Sequence, residues 1–580
     1  MTGMWKAIGD GAWVGSCVST RFPVYTRGNA GEVYPEVFTP LSFSIANRSS
    51  ERAFRRAALR TGMFRPSELD EPDDVGVGVG VFGGYAYLNL TFQRLFAIRL
   101  PGASVADVDR QWTGAGEPPP HQPQPSDRSL RSSLAALAYV WRTIRTTSLP
   151  QLERDQLRVA DLVAGLPDPA TASDQELRGR VDGMMPTFEE LFETHLVVSG
   201  QAGLSVGILS TCCERFLGDP SLAVVLLGGL GDVDSAAPAV AMWELGRRVS
   251  DDPRLGALFD AGPHGLWDRL RAEPEASSFV AEFEAFLAEH GCRGPNEWDT
   301  AFDTWETDPD MALGLVDRMR LTDPKASPSA RAVELALRRA ETEAAVLASL
   351  RGPRCWLLTR SLRSARYFSA ARERTKTTVV RAIHGLRLRA KELDRRLVER
   401  SGGRPGDLWY LTEDELDGYL AEPAAFAATI AERRRMHEEL ARRVPPFTFS
   451  GRQPPLDTWA LRDAQAEPAQ VGTVLTGLGG CAGRARGIAR VVTDLGGAAS
   501  LGPGDVLVAP HTDPSWTPLF VPAAAVVVDV GALLSHAVIV SRELGIPCAV
   551  SVTDASRRIP DGSEVEVDGT TGTVRILALP

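Results

Sequence analysis

The sequence predicts a multidomain α/β protein. A large, mainly α-helical domain with a small β-containing N-terminal part precedes a small C-terminal α/β domain. Three observations predict this fold class. A chain of 580 residues is too long for one hydrophobic core. Apolar residues from about Ser129 to Leu440 mostly follow a helical period. Beyond a proline-rich stretch, a strand, a glycine turn and a short helix follow one another near the C-terminus.

Proline-rich stretches divide the chain. The N-terminal residues include strand candidates at Gly76–Phe82 and Tyr85–Leu90, and the longest predicted helices are Arg331–Leu350 and Ser364–Arg400. A linker before a small domain lets that domain move, although many linkers only hold a domain in place. The predicted parts are 1–115 (N-terminal part of the large domain), 116–128 (proline-rich linker), 129–443 (helical domain), 444–470 (second linker) and 471–580 (C-terminal domain).

His536 lies in the most informative local pattern of the chain. The apolar run Ala523–Val528 predicts a buried strand, and after a Gly-Ala turn, Ser535–Leu544 predicts a helix that ends at Gly545. The histidine then falls in the first helical turn, where free N–H groups and the positive helix end favour an anion. A neutral imidazole in that place can carry a phosphoryl group covalently. The alternative is a buried, hydrogen-bonded histidine with a structural role.

The residues around His536 form a signature that extends over the whole segment. The matching residues are Gly531, Ala532, Ser535, His536, Ile539, Val540 and Arg542. They resemble the phosphohistidine swivelling domain of the phosphoenolpyruvate-utilising enzyme family, although Leu534 departs from its pattern. Upstream, Thr512–Phe520 resembles the loop before the strand that leads to the histidine, and Gly483–Val492 resembles the opening hairpin. The resemblance implies that His536 is phosphorylated and that Gly531, Ala532, Ser535 and Arg542 support the phosphoryl site.

The large domain carries a resemblance of its own. Its matching segments are Tyr25–Ser42, Leu227–Asp232, Phe286–Asp299 and Leu408–Leu416. In this order they resemble the substrate domain of rifampin phosphotransferases and related antibiotic kinases. The resemblance implies that the large domain binds a substrate and holds an apolar pocket, because such kinases bind bulky apolar ligands.

Arg372 and Lys376 are four residues apart and are predicted to share one helix face. A transferring phosphoryl group would suit the pair, since Arg grips an anion with a planar fork and Lys supplies a point charge. The surrounding residues resemble the helix on which an Arg and a Lys of rifampin phosphotransferase meet the phosphohistidine and the substrate. The alternative is a solvated basic face in an Arg-rich segment.

Arg293, Glu297 and Asp299 form a second polar group in the sequence. They are tentative substrate-binding residues. Structural ion pairing explains the same residues equally well.

Composition argues against several classes of protein. The net charge of −11 and a pI near 5.4 argue against nucleic acid or an anionic membrane as the main partner. Seven cysteines without metal-ligand spacing indicate reduced thiols and predict no metal site. We expect no apolar stretch long enough to span a bilayer and no secretion signal, so the predicted location is the cytoplasm.

A site that acquires phosphoryl groups is not evident in the sequence. Full-length antibiotic kinases place an ATP-grasp domain before the substrate domain, whereas here the substrate-domain resemblance begins at Tyr25. The sequence contains no G-x-x-x-x-G-K, and the glycine-rich Val75–Gly80 alternates like a strand with no Lys after it. We therefore expect a separate ATP-grasp partner to bind ATP and Mg²⁺ and to charge His536.

Three functions remain open at this point. The first is a phosphotransferase subunit that passes the phosphoryl group from His536 to a hydroxyl of a small molecule, such as an antibiotic or a secondary metabolite. The second is a dehydratase in which the phosphorylated hydroxyl is eliminated, which needs a general base that the sequence does not identify. The third is a non-catalytic phosphocarrier or small-molecule binding protein.

Overall fold

The structure is a computed structural model that describes residues 15–580 except 101, 114–116, 232–233, 235, 463, 465, 494–500 and 533–534, and no side chain at 180–183. Leu534, Asp232 and Gly116, the first residue of the predicted proline-rich linker, lie outside the described residues. The strands are β1 (Val24–Thr26), β2 (Val79–Phe82), β3 (Tyr85–Asn89), β4 (Thr448–Ser450), β5 (Val474–Thr476), β6 (Leu478–Cys481), β7 (Arg484–Val491), β8 (Val506–Ala509), β9 (Ala525–Val528), β10 (Cys548–Val550), β11 (Glu564–Asp568) and β12 (Thr573–Ala578).

Helices make up most of the middle of the chain. They are α1 (Ala30–Val33), α2 (Pro40–Arg60), α3 (Leu90–Arg99), α4 (Val105–Thr113), α5 (Leu130–Arg145), α6 (Pro150–Ala164), α7 (Asp174–Leu217), α8 (Leu222–Leu226), α9 (Ala237–Asp251), α10 (Pro253–Asp260), α11 (Leu266–Ala272), α12 (Ser277–His290), α13 (Pro309–Leu321), α14 (Pro328–Ser349), α15 (Gly352–Ser401), α16 (Leu416–Ala421), α17 (Ala427–Ala441), α18 (Thr517–Phe520), α19 (His536–Leu544) and α20 (Ala555–Arg558). The two longest predicted helices are present as α14 and α15, and α15 begins before its predicted start.

The chain divides into two compact units. Unit one is Met1–Gln201, Trp298–Ala301 and Thr375–Gln465; unit two is Ala202–Glu297, Phe302–Arg374 and Ala466–Pro580. This division differs from the predicted boundaries, because the 116–128 linker lies inside unit one and the 129–443 segment is shared between the units. The chain passes from unit one to unit two inside the predicted second linker, 444–470. The sequence boundaries themselves remain predictions.

Unit one contains a four-stranded sheet in the order β2-β3-β1-β4. Both predicted strands near residue 80 form, with shorter bounds, and join as a hairpin through Gly83 and Gly84. The φ angles of these glycines are 58° and 79°, a region that favours glycine. Strand β4 lies inside the predicted second linker and pairs with β1, so this part of the linker is fixed in the sheet.

The glycine-rich segment Val75–Gly80 is a strand only from Val79 onward. The N–H groups of Val77, Gly78 and Val79 donate to the buried carboxylate of Glu51 at about 3.0 Å. Burial raises the pKa of Glu51 to about 7, although the N–H of Val79 and the nearby Arg55 lower it. The amides that a phosphate loop would present are thus occupied by a carboxylate of the same chain.

Unit two contains, among the described residues, an eight-stranded sheet in the order β5-β12-β11-β7-β8-β9-β10-β6. Strands β7, β8, β9 and β10 run parallel, and β8 and β9 are wholly buried, as parallel strands usually are. The segment Gly483–Val492 is not the predicted opening hairpin. It contains the single strand β7, which pairs with β11 and β8, while β6 pairs with β10.

One apolar core in unit two joins the C-terminal sheet to the helices before it. It includes Met242 and Trp243 of α9, Val316 of α13, and Phe520 and Val540 beside the sheet, all nearly or fully buried. Because burial of apolar surface is the main force in such contacts, the C-terminal domain is docked firmly on these helices.

One helix, α7, has the length and apolar composition that a membrane-crossing helix needs, with a mean hydropathy of 1.5 in its most apolar window. The sequence-based expectation that the chain has no apolar stretch of this length was therefore wrong. A core helix of a soluble protein passes the same test, so this finding is weak evidence for a membrane span.

Candidate active site around His536

His536 lies where two neighbouring parallel strands end. Strand β8 pairs with β9, and Thr512 follows the first strand as His536 follows the second. Since the carboxyl ends of parallel strands meet at one edge of a sheet, both residues come to the same edge. Helix α19 begins at His536 and ends at Gly545, whose φ of 66° is typical of a helix C-cap. The predicted strand, helix and helix end are confirmed.

The imidazole of His536 lies between two hydroxyl groups. Its Nε2 is 3.0 Å from Oγ1 of Thr517, and its Nδ1 is 3.2 Å from Oγ1 of Thr512. The ring of Phe520 meets it edge to face, and the side chain is 6% exposed. A hydroxyl can donate or accept, so either neutral tautomer is satisfied, and one ring nitrogen keeps a lone pair for a nucleophilic role.

Ser535 and Gly531 shape the turn before the histidine. Ser535 is 1% exposed, and its Oγ has no hydrogen-bond partner among the residues that the structure describes. A side chain at Gly531 would place its Cβ 3.1 Å from Val550 and 3.2 Å from that hydroxyl, which explains the small residue. Ala532, also predicted, is buried in the same turn. A buried hydroxyl at a helix start suits an anion.

Arg542 lies on another side of α19. Its Nε donates to the carbonyl of Gly480 at 3.4 Å, near Cys481 and Cys548. Burial lowers the pKa of the guanidinium. The structure therefore places Arg542 against the strand β6, and its support of the phosphoryl site stays a prediction.

The loop that contacts His536 also contacts the helical part of unit two. The carboxylate of Asp513, next to Thr512, accepts from the backbone N–H of Ser515 at 2.8 Å and of Asn296 at 3.3 Å. Burial raises the pKa of Asp513 to about 6; hydrogen bonds from Ser515 lower it, and the charge of Glu297 raises it. From the sequence, Asp513 was identified only as a member of the Thr512–Phe520 motif. Its contact with Asn296 depends on the tertiary fold.

Arg293 and Glu297 form a buried ion pair beside this loop. Nη1 of Arg293 lies 3.0 Å from Oε1 of Glu297, and the side chains are 3% and 1% exposed. Arg293 also interacts electrostatically with Glu373, which binds Nη1 of Arg372 at 2.5 Å. The Arg293–Glu297 pair thus interacts electrostatically both with Asp513 of the His536 loop and with Glu373, the partner of Arg372. Glu373 lies between Arg372 and Lys376 in the sequence. The sequence analysis did not identify it as the partner of Arg372.

Asp299 does not belong to this group. It lies in unit one, where its carboxylate accepts from Oγ of Ser42 at 2.5 Å and from N–H of Ala301 at 2.9 Å. The guanidinium of Arg387 donates to its backbone carbonyl at 3.0 Å. Because these contacts hold together segments distant in sequence, they fit a structural role better than the predicted substrate contact.

Arg372 and Lys376 lie four residues apart on the predicted helix, α15, and both are half-buried. The division between the two units falls inside this helix, after Arg374. Arg372 therefore belongs to the unit that contains His536, and Lys376 to the other.

Unit two contains a cavity of about 170 Å³ that is lined by a hydrogen-bond partner of His536. Thr517, which contacts Nε2 of His536, lines it together with Asp234 and Glu543. The Glu543 carboxylate accepts from the N–H groups of Leu230 and Gly231 at 3.4 and 3.3 Å. The described part of the predicted Leu227–Asp232 motif thus lies directly against α19. By contrast, an apolar cavity in unit one, lined by Leu41, Leu393 and others, measures about 20 Å³, too small for a bulky ligand.

The buried Asp513 predicts a pH-dependent stability. Its pKa is about 6 in the folded protein against 3.8 as the reference value, so the folded state binds more protons than the unfolded state between these values. The contribution of Asp513 to the free energy of unfolding is therefore fully present below pH 4. As the pH rises to 6, this contribution falls by on the order of 2–3 kcal/mol. Relative to wild type, Asp513→Asn should gain stability by that amount between pH 4 and 7 in urea unfolding. The control is Asp251→Asn, at an exposed position. If the difference in the free energy of unfolding between Asp513→Asn and wild type does not change with pH, the raised pKa of Asp513 is contradicted.

Comparisons with known proteins agree with this geometry. The family profile "Rifampicin phosphotransferase fourth domain" matches residues 194–373, which include Arg293, Glu297 and Arg372. The profile "PEP-utilising enzyme, mobile domain" matches residues 501–572, which include Asp513 and His536.

Related proteins cover nearly the whole chain. An uncharacterized protein of Mycobacterium tuberculosis is 30% identical over 97% of this chain and 62% of its own length. The prodigiosin synthesizing transferase PigC of Serratia marcescens is 28% identical over 95% of this chain and 63% of its own length. A rifampicin phosphotransferase of a Streptomyces species is 30% identical over 67% of this chain and 46% of its own length. The chain spans less than two thirds of these relatives. Its residues 501–572 match the mobile domain of the phosphoenolpyruvate-utilising enzymes, and the chain resembles the rifampicin phosphotransferases.

Proposed function

We propose that His536 carries a phosphoryl group and transfers it to a hydroxyl of a small molecule. The similarity to rifampicin phosphotransferases supports a phosphotransferase that acts on small molecules. The single observation that carries the finer proposal is the position of His536. It is buried at the start of a helix, with each ring nitrogen against a threonine hydroxyl.

Nε2 is the proposed phosphoryl carrier. Thr517, the partner of Nε2, lines the cavity of about 170 Å³, whereas Thr512, the partner of Nδ1, does not. In the charging step, Nε2 attacks phosphorus and the donor oxygen leaves with the bonding electrons. In the transfer step, the substrate oxygen attacks phosphorus, the N–P bond breaks, and the hydroxyl proton passes to the released imidazole.

The donor is proposed to be a separate ATP-grasp protein that binds ATP and Mg²⁺. The resemblance to antibiotic kinases, which use an ATP-grasp domain, supports an ATP-grasp donor. The glycine-rich segment of this chain is not proposed as the nucleotide site, because its amides hold Glu51. We also propose that the substrate is a small molecule and that the reaction takes place in the cytoplasm.

Elimination after phosphorylation is the second candidate. It needs a general base, and two carboxylates, Asp234 and Glu543, line the cavity next to Thr517. Burial raises the pKa of Glu543, which brings it closer to the range of a useful base. The product would then lose water instead of gaining phosphate.

The test combines this chain, an ATP-grasp protein, ATP labelled in its phosphates and a library of hydroxylated small molecules. Label that stays on the protein in acid-labile, base-stable form and maps to His536 supports the carrier step. Product mass separates the candidates: added phosphate indicates transfer, and lost water indicates elimination. Labelled protein without any product indicates a non-catalytic carrier and contradicts the proposed transfer.

Arg372 and Lys376 are proposed to neutralise the phosphoryl group during transfer. Replacing either by Ala is expected to leave the labelling of His536 intact and to slow transfer roughly 10²-fold, because positioned cations act mainly on the transition state. The measurement is single-turnover decay of labelled protein with substrate present. Arg374→Ala, on a different face of the same helix, is the control. Loss of labelling in the Arg372 or Lys376 variant would place these residues in the charging step instead.

A further inference from the structure

Helix α5 of unit one turns an apolar stripe toward solvent. Leu130, Leu134, Leu137 and Trp141 follow steps of four, three and four residues, which puts them on one helix face. They are 79%, 57%, 51% and 51% exposed. The opposite face, which contains Ala136 and Tyr139, is buried. An amphipathic helix usually buries its large apolar residues, so α5 presents a surface that suits an apolar partner.

The charged side chains in the sequence around this stripe are basic. Arg128, Arg131, Arg142 and Arg145 are all exposed, and the sequence has no Asp or Glu from Arg128 to Leu152. Arg145 lies over the ring of Trp141 at 5.4 Å and so places a cation at the end of the stripe. The whole chain carries a net charge of −11, and α5 therefore segregates positive charge locally.

We propose that α5 binds the surface of a membrane that contains anionic lipid, with its stripe in the acyl boundary and its arginines at the headgroups. Leu and Trp on one face with Arg around them is the pattern of helices that lie in this interface. The negative charge of the whole chain argued against such a partner, but surface binding depends on the charge near the membrane and not on the total.

Two other occupants fit the observations less well. A second copy of the chain would bring the same arginines together, and their repulsion opposes a self-paired α5. A small apolar ligand would need a concave site, and neither of the cavities near Leu41 and Thr517 is lined by α5.

The neighbouring helix α7 packs against the buried face of α5. The hydroxyl of Tyr139 in α5 lies 3.5 Å from the position that a Cβ at Gly200 of α7 would take. Tyr139 is buried, whereas Leu134 and Leu137 are exposed, so this contact leaves the stripe turned toward solvent.

The test is flotation of the full chain with vesicles. One set contains equal parts of phosphatidylcholine and phosphatidylglycerol, and the other contains phosphatidylcholine alone. Wild type is expected to bind the anionic set at least about tenfold better, and high salt should weaken this binding. The double variant Leu134→Glu/Leu137→Glu should lose binding at least about tenfold, as should Arg131→Ala/Arg142→Ala.

The matched control is Leu321→Glu, an equally exposed leucine at the end of α13 in unit two. It should bind as wild type does, and unchanged circular dichroism and melting temperature show that each variant folds. Three outcomes overturn the proposal. Wild type fails to bind anionic vesicles, the Leu134→Glu/Leu137→Glu variant binds like wild type, or sedimentation shows a dimer that this variant disrupts. The last outcome would assign the face to a second copy.

Discussion

His536→Ala is expected to abolish phosphoryl transfer, with a loss of at least about 10³-fold in rate. Removal of a covalent nucleophile has effects of this size or larger, because no other group can form the intermediate. Labelled phosphate should no longer remain on the protein, and product formation should fall to background. Removal of the ring leaves the hydroxyls of Thr512 and Thr517 without this partner. The fold does not depend on these two contacts and should persist.

The control for this variant is His264→Ala, which removes an exposed histidine of the same unit. It should keep full labelling and full product formation. If His536→Ala retains product formation, the histidine is structural and the proposed carrier step is wrong. Circular dichroism and thermal unfolding of both variants distinguish loss of chemistry from loss of fold.

Arg293→Ala is expected to destabilise unit two by roughly 3–5 kcal/mol. The variant leaves Glu297 as a buried charge near Asp513, which is also buried and acidic. Removing one partner of a buried ion pair has an effect of this size, because the remaining charge has lost both water and its counter-ion. The measurement is the free energy of unfolding in urea, followed by a signal from unit two.

Two comparisons sharpen this prediction. Arg248→Ala breaks the exposed Arg248–Glu282 pair, whose side chains are 55% and 42% exposed, and should change stability by no more than about 1 kcal/mol. The double variant Arg293→Met/Glu297→Leu should recover most of the loss, since it removes both charges together. Equal effects of Arg293→Ala and Arg248→Ala would show that the pair does not contribute as its burial implies.

Local sequence was sufficient for the region around His536. The apolar run, the Gly-Ala turn and the glycine stop lie within a short segment, so backbone preferences and hydrophobic period predict strand, turn and helix without distant contacts. The family resemblance depends on the same short segment and on the loop at Thr512–Phe520. The comparisons confirm it over 501–572, and over 194–373 they confirm the separate resemblance of the large domain to rifampin phosphotransferases.

Other expectations needed distant contacts and were revised. Gly483–Val492 resembled an opening hairpin, yet it contains the single strand β7, whose partners β11 and β8 lie outside this segment. Proximity in sequence grouped Asp299 with Arg293, but Ser42 and Arg387 hold it in the other unit. Strand pairing and side-chain contacts between distant segments leave no local pattern, and such features cannot be read from spacing.

The sequence by itself determined that His536 begins a helix after a buried strand and that Arg372 and Lys376 share one face of a helix. The tertiary structure decided what meets those faces. It placed Thr512 and Thr517 at the two ring nitrogens, joined Asp513 to the loop at Asn296, and turned the α5 stripe outward. The physical reason is that periodicity fixes which side chains share a face, whereas packing with distant segments fixes which face is buried.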